Sequence, residues 1–143
     1  VSVAQTEILH ASAVAIGNRG LIITGPSGSG KSSLAIQLIA LGAELVADDR
    51  VIAEPHSEGG LLISAPNTIV GQIEARGVGL LTLPHRQSLA IAVVDLTQTT
   101  IERLPPNTRT RVAGIELPLI PKVERPDFAP MLLLYLKTGA LER

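Results

Sequence analysis

A chain of 143 residues, 45% hydrophobic and 17% charged, carries enough apolar surface for one buried core and too little length for two ordinary domains, so a single domain over residues 1–143 is expected. Its 12 Lys and Arg against 13 Asp and Glu leave a net charge of −1, without the basic excess that nonspecific nucleic-acid or anionic-membrane binding needs. One Phe and one Tyr exclude stacking platforms for single strands, and the absence of Cys excludes disulfides, thiolate nucleophiles and cysteine-based zinc sites.

In chain order, Ile8 to Ile16 reads as a strand, and Gly17-Asn18-Arg19-Gly20 as the turn into the apolar strand Leu21–Thr24. Gly25 to Gly30 is a glycine-rich turn. Ser32 to Leu41 reads as a helix stopped by Gly42, with Leu34, Leu38 and Leu41 spaced to face a sheet. Leu45–Ala47 then closes a right-handed, parallel strand–helix–strand unit. Further strands are expected at Gly60–Ser64, Leu80–Leu83, Leu89–Asp95 and Leu132–Leu136. Prolines crowd the stretch from Pro84 to Pro130, where long regular helices are not expected, and Arg103–Arg111, around Pro105 and Pro106, reads as a basic loop. No apolar run approaches the roughly 20 residues of a bilayer crossing. The segment around Glu7 lacks the basic stretch and apolar run of a secretory signal, so a cytoplasmic protein is expected.

The strongest motif is Gly25-Pro26-Ser27-Gly28-Ser29-Gly30-Lys31-Ser32, a complete G-x-x-x-x-G-K-[ST] P-loop between an apolar strand and a helix. Phosphate oxygens need several converging N–H donors. Glycines let the backbone curl those donors inward, and the helix N-terminus adds its positive dipole end. Lys31 supplies a cation for the β- and γ-phosphates, and Ser32 a hydroxyl suited to Mg²⁺. The expected fold class is therefore α/β: one P-loop domain, a strand-rich mixed sheet with the P-loop helix as crossover.

Asp48 and Asp49 follow the strand Leu45–Ala47, at the sheet edge where the P-loop also lies. Adjacent residues leaving a strand point opposite ways, so one carboxylate is expected to face the reacting phosphate and the other to coordinate metal-bound water or brace the loop. Asp49 follows Ser32 by 17 positions, which favours a compact kinase over GTPases and motor ATPases. Glu74-Ala75-Arg76-Gly77-Val78-Gly79 would place a metal ligand and a phosphate clamp on a tight loop; standing alone it reads as a surface salt bridge before a turn. His10 precedes the P-loop strand and would reach the same edge, while His56 and His85 read as surface residues.

Taken in order, His10, Gly25–Ser32, Leu45-Val46-Ala47-Asp48-Asp49-Arg50-Val51 and Ile73–Gly79 resemble the catalytic domain of bacterial HPr kinase/phosphorylase, over about half the chain. The resemblance is to the short alphaproteobacterial type without the regulatory N-terminal domain. It implies ATP-dependent phosphorylation of a serine on the phosphocarrier protein HPr, regulating the phosphotransferase system and carbon metabolism. It further implies that Asp49 accepts the serine proton and returns it in phosphorolysis, and that Ser32 and Glu74 hold Mg²⁺. By the same resemblance Lys31, His10 and Arg103 complete the catalytic set, and the chain assembles as a hexamer. Leu119–Arg125 departs from the family's segment linked to dephosphorylation, and a chain ending at Arg143 leaves little for the usual C-terminal helix. A small-molecule kinase would share the P-loop and strand-end Asp residues but usually adds a lid and a substrate insertion. A non-catalytic nucleotide switch would not need Asp48-Asp49.

Overall fold

The computed structural model describes residues 6–143; residues 1–5, the start of the expected domain, lie outside the described residues. The strand expected from Ile8 to Ile16 is two strands, β1 (Glu7–Leu9) and β2 (Ala11–Ile16), divided at His10. The division follows from a change of partners. β1 pairs with β5 (Val51–Pro55), whereas β2 lies between β3 (Arg19–Thr24) and β4 (Glu44–Ala47), antiparallel to both. β3 and β4 therefore run in the same direction, as expected of the strand–helix–strand unit, but with β2 between them. The connecting helix α1 spans Lys31–Ala40. Leu34 and Leu38 are buried as expected, while Leu41, 45% exposed, leaves the helical face as the chain turns at Gly42, and Ala43 enters the core instead.

Strands β6 (Leu61–Ser64) and β9 (Ser88–Thr99) extend the sheet, with β10 (Arg109–Val112) and β11 (Ile115–Lys122) joined to it. The long strand β9 forks: its first residues pair antiparallel with β6, its later ones parallel with β11, and its other edge runs parallel to β3. The result is a nine-stranded mixed sheet in the order β1-β5-β6-β9-β3-β2-β4, with β11 and β10 on the fork. A separate two-stranded ribbon holds β7 (Gln72–Ala75) and β8 (Gly79–Thr82). The basic loop expected over Arg103–Arg111 ends early, because Arg109 and Arg111 lie on β10 and pair with Glu116 of β11.

Residues 132–136 are not a strand. They lie in helix α2 (Phe128–Thr138), an 11-residue helix of ordinary length within the half where long regular helices were not expected. Pro130 is tolerated because it sits in the first turn, where a missing N–H forfeits no intrahelical bond. Phe128, Ala129, Leu132, Leu133 and Leu136 are buried at helical spacing, and Gly139 closes the helix. At its start, Arg125 donates a 2.9 Å hydrogen bond to Asp127, which holds the Asp127 carboxyl below the usual carboxylate range.

Both sheet faces are covered. Leu21 and Ile23 pack with Leu34, Leu38, Leu45 and the α2 leucines on one face, while Ile22 packs with Val46, Val51, Ile63 and a set of alanines on the other. An uninterrupted apolar strand such as Leu21–Ile23 is what two-sided burial requires, and each fully buried Leu or Ile contributes about 1.5–3 kcal/mol. The functional consequence is a shared edge. β3, β4, β9 and β11 run the same way, so Gly25, Asp48, Leu96 and the segment after Lys122 gather where their C-terminal ends meet. No helix among the described residues is long and apolar enough to cross a membrane.

Candidate active site

The P-loop leaves β3 at Thr24 and turns into α1 through Gly30, whose φ of 99° lies in the left-handed region that suits glycine. Gly30 brings no side-chain cap and the first turn of α1 holds no acid, so the helix's leading N–H groups meet an anion without competition. At Gly25 a Cβ would lie 2.5 Å from Ser29 Oγ; the loop closes only around a glycine there. Ser29 Oγ is itself buried without a hydrogen-bond partner. Lys31 folds back over the loop, its ammonium donating to Gly25 O at 2.7 Å and Pro26 O at 3.1 Å. An incoming phosphate would draw it from these neutral carbonyls to a charged acceptor.

The two strand-end carboxylates divide as alternation requires. Asp48 turns inward, buried, and its Oδ1 accepts hydrogen bonds from Ser12 Oγ at 2.6 Å and Ser32 Oγ at 2.8 Å. Asp49 faces outward with its side chain 75% exposed, 3.9 Å from Arg50. Its φ of 71° is unusual outside glycine, though Asp tolerates this region better than most residues. The left-handed turn swings the Asp49 side chain onto the rim of the cavity beside the P-loop.

That cavity, about 1040 Å³, is bounded by the P-loop and α1 on one side and the β7–β8 ribbon on the other. Lys31, Ser32, Asp48, Asp49, Glu74 and Arg76 all line it. Glu74 and Arg76 project from one face of β7 and its exit while Ile73, between Gln72 and Glu74, is buried in the core; two-residue alternation assigns the sides. Among the described residues no ion pair joins Glu74 to Arg76, so the surface salt bridge expected of that motif in isolation does not form.

His10 and Arg103 are not among the residues lining the cavity. His10 is exposed at the bend before Ala11, whose pairing with Thr24 puts it on the P-loop edge. Arg103 lies in the exposed connection between β9 and β10. The residue that sequence reasoning missed is Ser12, the partner that ties Asp48 to β2. Its signal was available: a single hydroxyl inside the apolar run Ala11–Ile16 needs an acceptor once that strand is buried.

Among the described residues no three His, Cys, Asp or Glu side chains converge as a metal cluster. Magnesium does not ask for one. It is commonly held by one or two carboxylates together with phosphate oxygens and water. Ser32 and Glu74, with Asp48 hydrogen-bonded to Ser32, put hard oxygen donors on the same cavity as the P-loop, and this donor set fits the ion.

Residues 1–111 match the family model described as HPr serine kinase C-terminal domain. The HPr kinase/phosphorylase of Clostridium tetani is 41% identical over 88 residues, covering 62% of this chain and 28% of that protein. That of Geobacillus thermodenitrificans is 32% identical over 136 residues, covering 86% of this chain and 44% of its own length. The chain thus spans less than half the length of either relative. Among solved structures, the HPr(Ser) kinase/phosphatase from Coxiella burnetii has the same fold, with a TM-score of 0.75 at 22% identity over 93% of this chain and 95% of that one.

Proposed function

We propose that this chain, which belongs to the HPr serine kinase C-terminal domain family, transfers the γ-phosphoryl group of ATP to a serine hydroxyl of HPr. The observation that carries the reading is that an exposed carboxylate, Asp49, lines the same cavity as Lys31 and Ser32 of the P-loop. A strand-end carboxylate pushed into solvent by a left-handed turn is placed for a group arriving from outside, such as a hydroxyl on a second protein.

Lys31 and the amides of Gly28–Ser32 bind the phosphate chain and offset the charge that builds on it. Asp48 fixes the Ser32 hydroxyl through their 2.8 Å hydrogen bond. Ser32 and Glu74 would hold Mg²⁺, which supplies charge neutralisation at the β- and γ-phosphate oxygens when bound. Asp49 takes the serine proton as the serine oxygen bonds to the γ-phosphorus and the bond to ADP breaks. In phosphorolysis the same carboxyl would return the proton. His10 and Arg103, at the edge and in the β9–β10 connection, would join the site with the acceptor protein in place. Enclosure of the site by that acceptor would also exclude water from the exposed Asp49.

The test is to mix the purified chain with Mg-ATP and HPr of the same organism and locate phosphate by mass spectrometry. One phosphoserine on HPr is expected. Asp49→Asn, which keeps a residue tolerant of the left-handed region, should abolish transfer while ATP binding survives. Equal loss of both would overturn the base assignment. ATP bound with no transfer to folded HPr would move the reading to a small-molecule acceptor or a non-catalytic switch.

A further inference from the structure

Ser12 is fully buried, yet it is among the residues bounding the larger cavity, where it donates its 2.6 Å hydrogen bond to Asp48 Oδ1. An irregularity in the sheet brings the pair together. Val14 pairs with Leu45 and Ala15 with Glu44, a register that would set Asp48 opposite Ala11 if it continued. It shifts between Ala13 and Val14, so Ala13 meets Ala47 and the next pair along is Ser12 with Asp48. The two faces of the sheet record the same event. Val14 and Leu45 pack on the face that α1 covers, whereas Val46 and Ala47 both pack on the other. Strict alternation after Leu45 would turn Asp48 away from α1. One extra residue returns it to the α1 side, opposite Ser12 and within 2.8 Å of Ser32 Oγ. Bulges beside active sites commonly re-aim a side chain in this way.

A serine hydroxyl has one proton to give and two lone pairs to offer. Ser32 gives its proton to Asp48 Oδ1, the oxygen that Ser12 also holds, and accepts no hydrogen bond among the described residues. Its lone pairs are left to the cavity that it lines with Lys31. Oδ1 stays in place as that acceptor only while the carboxylate is kept from turning, and the Ser12 hydroxyl is the second group gripping it. We propose that Ser12 is a positioning residue for cation binding: through Asp48 it holds the Ser32 proton off the cavity side, so that the Ser32 oxygen meets Mg²⁺ with a lone pair. Being fully buried, Ser12 itself touches neither nucleotide nor ion. This rests on the phosphate-site reading above and extends it to a residue outside every motif of the sequence. Ser12 stands between the buried alanines Ala11 and Ala13, so alanine fits this strand and Ser12→Ala removes the hydroxyl alone.

Titration calorimetry of the intact chain with ATP, in Mg²⁺ and again in EDTA, separates the cation's contribution from that of the loop amides and Lys31. In Ser12→Ala the gain in affinity that Mg²⁺ brings should shrink about tenfold, the lower end of what losing an outer-shell partner costs a metal site. Affinity in EDTA should stay unchanged, which doubles as proof that the variant is folded. Ser12→Thr and Ser12→Val have equal shape and share any packing cost, so only Ser12→Val should lose the Mg²⁺ gain. An undiminished gain in Ser12→Ala, equal losses in Mg²⁺ and EDTA, or equal behaviour of Ser12→Thr and Ser12→Val would overturn the positioning role. Failure of both hydroxyl-free variants to fold would assign Ser12 to the scaffold and overturn it too. ATP binding by the unaltered chain that ignores Mg²⁺ overturns the proposal while leaving the phosphate site standing. No ATP binding in either buffer overturns the phosphate site and this proposal with it.

Discussion

The two walls of the larger cavity are built on different principles. On the P-loop wall three of the chemical groups are already engaged: Lys31 with two loop carbonyls, Ser32 with Asp48, Asp48 with Ser12. On the ribbon wall Glu74 and Arg76 face the same space, yet no ion pair among the described residues engages either. Val78 and Leu80 stand 80% and 65% exposed beside them. A two-stranded ribbon is marginal by itself, and Ile73 is the one buried side chain of these two strands. One wall is preorganised for a fixed chemical task. The other leaves its groups and its apolar surface available to a partner, which is the division that the proposed transfer to another protein needs.

Among variants that compare the two walls, the largest expected effect falls on the engaged one. Lys31→Met removes the ammonium while keeping much of its apolar stem, and should lower the transfer rate about 10²–10³-fold, the typical loss of one transition-state donor. Near-normal turnover would mean that the loop does not handle the transferring group. The next variant tests whether the walls are separable. Ile73→Ala should cost about 2–5 kcal/mol as a buried large-to-small change, read from the urea midpoint. It should also reduce transfer to a protein acceptor more than it weakens ATP binding. Parallel loss of both would break the comparison, since the ribbon would then be part of the nucleotide-binding unit.

Sequence legibility followed the same division. The P-loop and the Asp pair could be read because their geometry is local: glycines at fixed spacing between an apolar strand and a helix, and carboxylates at the next strand's exit. The pairing of β2 between β3 and β4 could not, since it is a choice among distant strands and no local residue records it. Helix α2 was misread because Pro130 and a run of leucines hide its ends. Its period is nonetheless there in Phe128, Leu132 and Leu136, and Pro130 falls where the first turn has no bond to lose. The sheet fork placed Lys122–Phe128 beside the P-loop, far from anything the chain order suggests.

The smallest effect sharpens the contrast most. Asp48→Ala strips the acceptor from two hydroxyls, one of them on the fully buried Ser12. A hydrogen bond to a charged group is worth about 1.5–3 kcal/mol, so a loss of at least that size should appear in urea denaturation. Glu74→Gln removes a carboxylate from the opposite wall that no partner among the described residues engages, and stability should stay within about 0.5 kcal/mol, as for surface changes generally. If Glu74 serves as proposed, the same variant should still lower the rate of transfer at limiting Mg²⁺, with the deficit shrinking as the ion is raised. A carboxylate that matters to turnover but not to folding belongs to the bound state, whereas one that matters to folding is part of the scaffold. Equal destabilisation by the two variants would place Glu74 in the scaffold as well and erase the distinction between the walls.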